Sequence, residues 1–589
     1  MSDFIFSTTS RPADDLKQSL QEIDTSQKAP IVNFSGFWGS LAVVENHYAG
    51  FQPLETDSHI AVVIGGPLLQ FQANDFLDDE DSSAGTAAIL ERHLSGEMSW
   101  DEDLSGPFAA FILDKKSGAF TYVTDLLMFI PVYSFEGSEG IVLGSHVDVV
   151  AKVAGEEENL DPVSLADFVL NHVVTYPYTC YENIRQAEAG TVHNYTDIAS
   201  SHQKSCETYW VPREEQNYES LPEAARLLRE SLLEDVATIT NGTKKVGAFV
   251  SAGEDSRSIL GSLPEGVDCD GFTYLYGSPR DRAIAKQVTK IFNVNHTVSA
   301  QPYHYYLDIL SDASALVGSG HQYSHAHVVG FFEEWKLRDY RAVLGGYLSD
   351  SLLKGLFSRK RRGRGLLSWL PEFHRPGETQ TRRQHSDLFT EEVLDQVQNR
   401  KREHMARVQE IRPQTAHEWF GIWPATMQLT FPNFLATRRL FRSYEPFMGK
   451  TSVKIGAGVP LSWKLNRRMF NRAMRPLLKP TRWVFHADGH LPYFPFWFNM
   501  PFVFLDKLKK TLLKAYHAFT CLITGKETPW QRRRASKTDE EWLAAFEKFN
   551  AGYDSFDEII KDRSARRKLS SRQTRNILQV LEWIDRMHR

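Results

Sequence analysis

The sequence predicts an α/β chain with a strand-rich α+β front part, a middle part on a parallel sheet and a helical end. Three observations carry that prediction. Residues up to about 210 are dense in short β-rich runs, among them HIAVVIGGPLLQF (59–71), GPFAAFILDKKSGAFTYVTD (106–125) and GIVLGSH (140–146). Beyond residue 220, strand-like and helix-like runs alternate, as parallel strands joined by helical crossovers do. The last hundred residues are aromatic-rich and charged and read as helices.

In chain order, residues 1–30 read as a polar extension rather than a strand entering a sheet. Within 106–125 two β-rich runs flank Lys-Lys-Ser-Gly, whose glycine can take positive φ, which predicts a hairpin. A helix is expected at 165–175, then extended chain to about 212. Apolar positions 221, 224, 227, 228, 232 and 236 follow the 3.6 period until Asn241-Gly242, predicting a helix and a domain boundary before it. Strand-like KVGAFVS, a helix after EDSRSIL, strand-like GFTYLYG (271–277), helical RAIAKQVTKIF and strand-like YRAVLGG (340–346) follow. The basic RKRRGRG at 359–365 reads as a solvated loop. The expected division is 1–30, 31–212, 213–490 and 491–589.

A chain of 589 residues, 42% hydrophobic and 24% charged, has apolar material for several cores, about three to four at ordinary domain size. A net charge of -7 offers no overall attraction for nucleic acid. Cys180, Cys206, Cys269 and Cys521 form no C-x-x-C pair, so neither a disulfide framework nor a cysteine zinc site is expected, and a reducing, cytoplasmic setting fits. The start lacks a signal-peptide pattern, and no run of about 20 uncharged apolar residues occurs.

The stretch VGAFVSAGEDSRSIL (246–260) sits at the first strand-to-helix turn of the α/β part, where open parallel sheets place their ligand crevice. Ala252 and Gly253 let the backbone approach closely, the amides opening the helix point toward an anion, and Ser251 and Ser256 add hydroxyl donors. Asp255 would repel a bare phosphate, so its natural partner is a magnesium ion carrying phosphate oxygens. No Walker P-loop is present.

The serine-small-Gly-x-Asp-Ser order resembles the pyrophosphate loop of ATP pyrophosphatases. Three further segments resemble asparagine synthetases: LGGYLSDSLLKG (344–355), with Asp350 matching that family's magnesium aspartate; LSGPFAAFILDKKSGAFTYVTDLLMFIPVY (104–133), like the end of its amino-terminal amidohydrolase-type domain; and SYEPFMGKTSVKIGAGVPLSWKLNRRMFNRAMRP (443–476). The resemblance runs from about residue 30 to 480. It implies an Ntn-hydrolase-like sandwich followed by an ATP-pyrophosphatase domain, with ATP and magnesium as cofactors.

Departures from the family shape the functional expectation. Asparagine synthetases begin Met-Cys and use that cysteine to hydrolyse glutamine; Ser2 stands here, so no glutaminase activity is expected. The amine would come from a second substrate, as in the related beta-lactam synthetases and lasso-peptide cyclases. Tyr347 resembles the tyrosine of beta-lactam synthetases and would relay a proton given a depressed pKa or an acidic partner, which the sequence does not identify. The family's lysine beside the developing charge falls by spacing on Arg468, with Lys464 as a nearby alternative. Gly345 and Gly346 open the second loop, Ala252 requires a negative φ, and Arg257 faces either pyrophosphate or solvent. Near the end of the second strand, Tyr274 and Tyr276 line the nucleotide pocket or pack in the core.

The implied chemistry is ATP-dependent adenylation of a carboxylate with Asp255 and Asp350 holding magnesium, then attack by an amine, the two groups on separate molecules or on one peptide. A lasso-type macrolactam cyclase is one concrete version. A free-ammonia synthetase acting on a small acid or sugar acid, and an idle scaffold, are the alternatives. His296 and the trio His321, His325 and His327 read as hydrogen-bonded structural groups rather than metal ligands. LPYFPFWFNMPFVFLDKLKKTLLKAYHAFTCLITG (491–525), with Lys507, Lys509, Lys510 and Lys514, fits a helix on a membrane surface or aromatics packed on the preceding domain; the second is the expectation. The final helices read as an appendage gripping a peptide, a carrier such as a peptide-delivery protein, or a second subunit of a homodimer.

Overall fold

The β-rich runs of the front part pair into two antiparallel sheets of six strands each, and strand alternation buries one face of each against the other. The computed structural model describes residues 3–9, 11–23, 30–79, 81–138, 140–196, 204–275, 279–302, 304–361, 363, 367, 370–375, 388–524 and 570–587. The hairpin forms as Phe108–Asp114 against Phe120–Thr124, with Gly118 at φ 77° in its turn.

The expected extension over 1–30 is corrected. Phe4–Ser7 is an inner strand, antiparallel to Gly140–Gly144 on one side and Gly39–Val44 on the other. Phe4 and Phe6 point into the core between the sheets, where Phe6 lies 4.9 Å from the rings of both Phe111 and Phe120. Ile5 points the other way, toward Leu16 and Leu20 of the helix Ala13–Gln21. Four apolar-to-small residues between polar neighbours are too short for periodicity to show, and only the sheet supplies their partners.

The helix Leu221–Thr240 opens the second part with a capping box, Ser220 Oγ accepting from the Glu223 amide while the Glu223 carboxylate accepts from the Ser220 amide. A five-stranded, fully parallel sheet follows, in the spatial order Asn295–Ala300, Asp268–Leu275, Lys245–Phe249, Val343–Leu344, Ser443–Tyr444. The chain runs outward in one direction from Lys245–Phe249, then crosses back to lay Val343–Leu344 on its other side. The switch point therefore lies between these two strands, and the ligand crevice of such a sheet opens beyond their carboxyl ends.

Beyond the sheet, Tyr493, Phe494, Phe498 and Phe502 stack with Trp483 and Phe485, while the helix Phe496–Thr524 turns many apolar side chains outward. The expectation that these aromatics pack on the preceding domain thus holds for only some of them. The helix Ser571–Met587 buries Ile577, Leu578, Val580, Leu581, Trp583 and Ile584 against the rest of the chain. Asn576 and Gln579 hydrogen-bond to Gln322 and Tyr323, so this helix is docked on its own chain. Among the described residues no helix is long and apolar enough to cross a membrane.

Candidate functional site

The first loop leaves the strand Lys245–Phe249 and enters the helix Glu254–Ser262, with Gly253 as the extended residue before it (φ -79°, ψ 172°). Its shape is fixed internally. Ser251 Oγ accepts from the Gly253 amide at 3.0 Å, and Ser256 Oγ accepts from the Ser251 amide at 3.1 Å. Ala252 is absent from the residues with positive φ, as its side chain requires.

The second loop, from Gly345 to the short helix Ser349–Leu353, comes off the neighbouring strand and lies against the first. A Cβ on Gly346 would sit 2.8 Å from Asp255 Cβ, and one on Gly345 would sit 2.2 Å from the Glu445 carboxylate. Both positions require glycine for close approach. Leu348 takes a left-handed φ of 77°, which turns the chain into the helix carrying Asp350.

The two aspartates expected to share a magnesium ion do meet, but around a lysine. Lys354 Nζ donates to Asp255, lies 3.0 Å from Asp350 Oδ1 and 3.1 Å from Glu254 Oε1, and its side chain is 4% exposed. Burial alone would lower the Lys354 pKa, but the three carboxylates hold it above the ordinary value. Burial would likewise raise Glu254, but Lys354 and Arg467 keep it well below the usual range. Burial, with Asp350 and Glu254 nearby, pushes Asp255 up to about 6 against the pull of Lys354. The donor set that would coordinate a dication is already engaged by an ammonium, so a magnesium ion does not fit between Asp255 and Asp350 in this arrangement.

The second cation is Arg467, not Arg468 or Lys464. Asn466 and Arg467 both adopt left-handed φ, 55° and 58°, and this kink turns Arg467 toward the first loop. Its Nε lies 3.2 Å from Glu254, and its Nη1 donates to His490 Nε2 at 2.7 Å. Arg468 is consequently turned outward, its Nη1 reaching the Ser462 carbonyl at 3.4 Å. Lys464 is buried elsewhere, 3.1 Å from Glu418. Spacing gave the segment, but the kink at Asn466 and Arg467 decides which side chain faces the loop.

Arg257 meets neither pyrophosphate nor solvent. It is fully buried and donates to the carbonyls of Val484, Phe485 and Ala252, pinning a distant segment beneath the first loop. Tyr347 is raised above its ordinary pKa by burial, and its hydroxyl meets Gln428 and Thr430, each at 3.3 Å, rather than an acid. The acid at this loop is Glu445, which accepts from the Tyr347 amide at 2.8 Å and is pushed up to about 8 by burial. Sequence reasoning passed over Glu445, Lys354 and Glu254; the i, i+4 spacing of Asp350 and Lys354 was the readable signal for one of them. Tyr276 lies outside the described residues, and Tyr274 is buried beside Phe331.

Three of the four histidines singled out make side-chain hydrogen bonds. His321 Nε2 lies 2.9 Å from the Tyr133 hydroxyl, His327 Nδ1 3.0 Å from that of Tyr306, and His296 Nε2 2.8 Å from that of Thr273. Among the described residues one trio has metal-ligand spacing, His486, Asp488 and His490. His490 Nε2, however, accepts from Arg467.

Sequence comparison accords with this geometry. The Glutamine amidotransferase domain family matches residues 38–210, and the Asparagine synthase family matches residues 227–482, the span holding both loops and Arg467. The chain belongs to the asparagine synthetase superfamily. One relative in this superfamily, "Putative asparagine synthetase (glutamine-hydrolyzing) 2" of Methanocaldococcus jannaschii, is 26% identical over 195 residues, 32% of this chain and 37% of that protein. The alignment thus spans little more than a third of that synthetase. Two solved chains share part of the shape. One is the allosteric regulatory enzyme of purine biosynthesis (11% identity, TM-score 0.25, 51% of this chain and 80% of that one). The other is a glutamine phosphoribosylpyrophosphate amidotransferase from B. subtilis with ADP and GMP (10%, TM-score 0.24, 51% and 65%). At these scores neither bears on function.

Proposed function

We propose that this superfamily member is an ATP-dependent, AMP-forming carbon–nitrogen ligase that works without hydrolysing glutamine. The observation that carries the reading is the meeting of two glycine-bearing loops at the switch point of the parallel sheet, Gly346 against Asp255, in the segment matching the Asparagine synthase family. A substrate carboxylate oxygen attacks the α-phosphorus of ATP, the bond to the bridging oxygen breaks, and pyrophosphate leaves. The loop amides and the Ser251 and Ser256 hydroxyls receive its charge, with Lys354 and Arg467 as the neighbouring cations. An amine nitrogen then attacks the acyl carbon of the mixed anhydride and AMP departs, leaving an amide. Glu445 is the acid at the second loop, and in its ionised form, favoured as pH rises toward 8, it is placed to accept the amine's proton, while Tyr347 keeps a positioning part.

Any divalent ion enters with the nucleotide, on its phosphates, rather than between Asp255 and Asp350. Independence from glutamine is supported at Asp3, the residue following Ser2. Its buried carboxylate is clamped by Arg438 and Arg439 of the second part, an engagement with no evident place for glutamine. Within this class the acid and amine belong to one peptide in the lasso-type version and to separate small molecules in the ammonia-using version. An idle scaffold is the second reading, favoured by the lysine that fills the aspartate cradle.

Incubation with ATP, magnesium and hydroxylamine across pools of peptides, amino acids and sugar acids tests the proposal. It expects pyrophosphate, AMP and a hydroxamate from one pool, all lost in Asp255→Ala. Nucleotide binding without AMP from any pool would leave the scaffold reading.

A further inference from the structure

We propose that the Lys354 ammonium is the resident cation of this site, permanently taking the place of a divalent ion between Asp255 and Asp350. Its three carboxylate partners belong to two separate loops, and a dication there would need the same oxygens. The ammonium also lies 4.3 Å from the centroid of the Phe470 ring, so both ends of its environment suit a cation. Because Lys354 follows Asp350 by four residues, the charge arrives with the fold and cannot dissociate. With Arg467 present, three carboxylates face two cations; without Lys354, they would face one. The site is thereby closed around its own cation before any nucleotide binds.

Manganese(II) titration of the full-length protein without nucleotide, followed by electron paramagnetic resonance, decides it. The wild type should hold no manganese at this site, while Lys354→Ala should gain one site at least tenfold tighter than any in the wild type. Adding Asp350→Asn to that variant should remove the site. If Lys354→Ala fails to fold, Lys354→Met keeps the stem packed and serves the same purpose. Manganese bound by the wild type and lost in Asp350→Asn would overturn the proposal, as would folded lysine variants that gain nothing.

A different surface carries a second inference. On the helix Phe496–Thr524, Trp497, Phe504, Leu505, Leu512, Tyr516 and Phe519 follow helical spacing as one stripe and are 37% to 69% exposed. Asp506 lies off that stripe and is tied to the body by Arg280 at 3.0 Å. Lys507 and Lys509 border the stripe, while Lys510 lies on the far face, 2.7 Å from Asp506. At its start Trp497 also lines a cleft of about 1080 Å³ whose walls bear Arg226, Arg229, Arg468, Arg472, Arg475 and Lys479. An outward apolar stripe continuous with so basic a cleft matches a surface that is apolar within and anionic at its boundary. We infer that this face docks on an anionic lipid bilayer, the helix lying in the plane of the interface.

Flotation of the full-length protein with vesicles of phosphatidylcholine alone, or with about a third phosphatidylglycerol, tests this. Binding is expected only with the anionic lipid, should weaken in high salt, and should fall at least tenfold in Leu505→Glu/Leu512→Glu. No flotation with anionic vesicles, or flotation indifferent to that double change, would overturn the inference. So would association of this face with a protein partner in the absence of vesicle binding.

Discussion

Gly346 shows how little room the site leaves at the residue scale. Gly346→Ala would set a methyl 2.8 Å from Asp255 Cβ and 3.3 Å from the Asp255 carbonyl carbon, so the two loops must separate. The expected destabilisation is about 1–3 kcal/mol, the usual range for overpacking, with nucleotide affinity falling at least tenfold. Urea denaturation and calorimetric ATP titration measure the two effects. Glu445 gives a pH signature. Its folded pKa of about 8 lies above the ordinary 4.5, so the fold favours the protonated acid. The stability this gives is complete below about pH 4.5 and is lost as pH rises through 8. Glu445→Gln removes the titration, so the melting temperature of the wild type should fall relative to that variant between pH 5 and 8.5, as thermal unfolding across that range will show.

Elements divide into those the sequence announces and those only the fold creates. The helix Leu221–Thr240 was legible because its apolar period and terminal Asn-Gly are local, and the loop at 251–256 because strand, small residues and helix adjoin in sequence. Phe4–Ser7 was not, since four residues carry no period and their partners lie more than thirty positions away. Arg467 was missed for a different reason: consecutive left-handed residues shift the helix phase, and nothing in RRMFNRAM marks them. The segment pinned by Arg257 is likewise nonlocal, its carbonyls lying at Val484 and Phe485. Arg257→Met would strand buried acceptors on both segments, costing about 3 kcal/mol. Hydrogen exchange should show the amides of 251–256 and 484–486 exposed together in that variant, and far less so in Arg257→Lys.

At the scale of the whole molecule, the front sandwich is tied to the second part through buried charge. Asp3 is where they lock. Burial would raise its pKa, but Arg438 and Arg439 hold it far below the usual range, and Arg439 also donates to the carbonyls of Leu316 and Ser145. Asp3→Asn leaves two buried guanidinium groups without their shared anion, a change expected to cost about 3–5 kcal/mol. Chemical denaturation should then separate into two transitions, where the wild type unfolds in one. Such a lock makes the front sandwich a wall against which the helix carrying Arg438 and Arg439 packs.

The proposed function turns on one step, activation of a carboxylate as its adenylate. Once the hydroxamate assay has named the acid, the most direct test is to supply it with both carboxyl oxygens as ¹⁸O, together with its amine and ATP, and to weigh the nucleotide product. AMP should carry one ¹⁸O, because the acid's oxygen remains on the α-phosphorus when the amide forms. Label in inorganic phosphate with ADP as the product, or amide formed with no label in AMP, would contradict it.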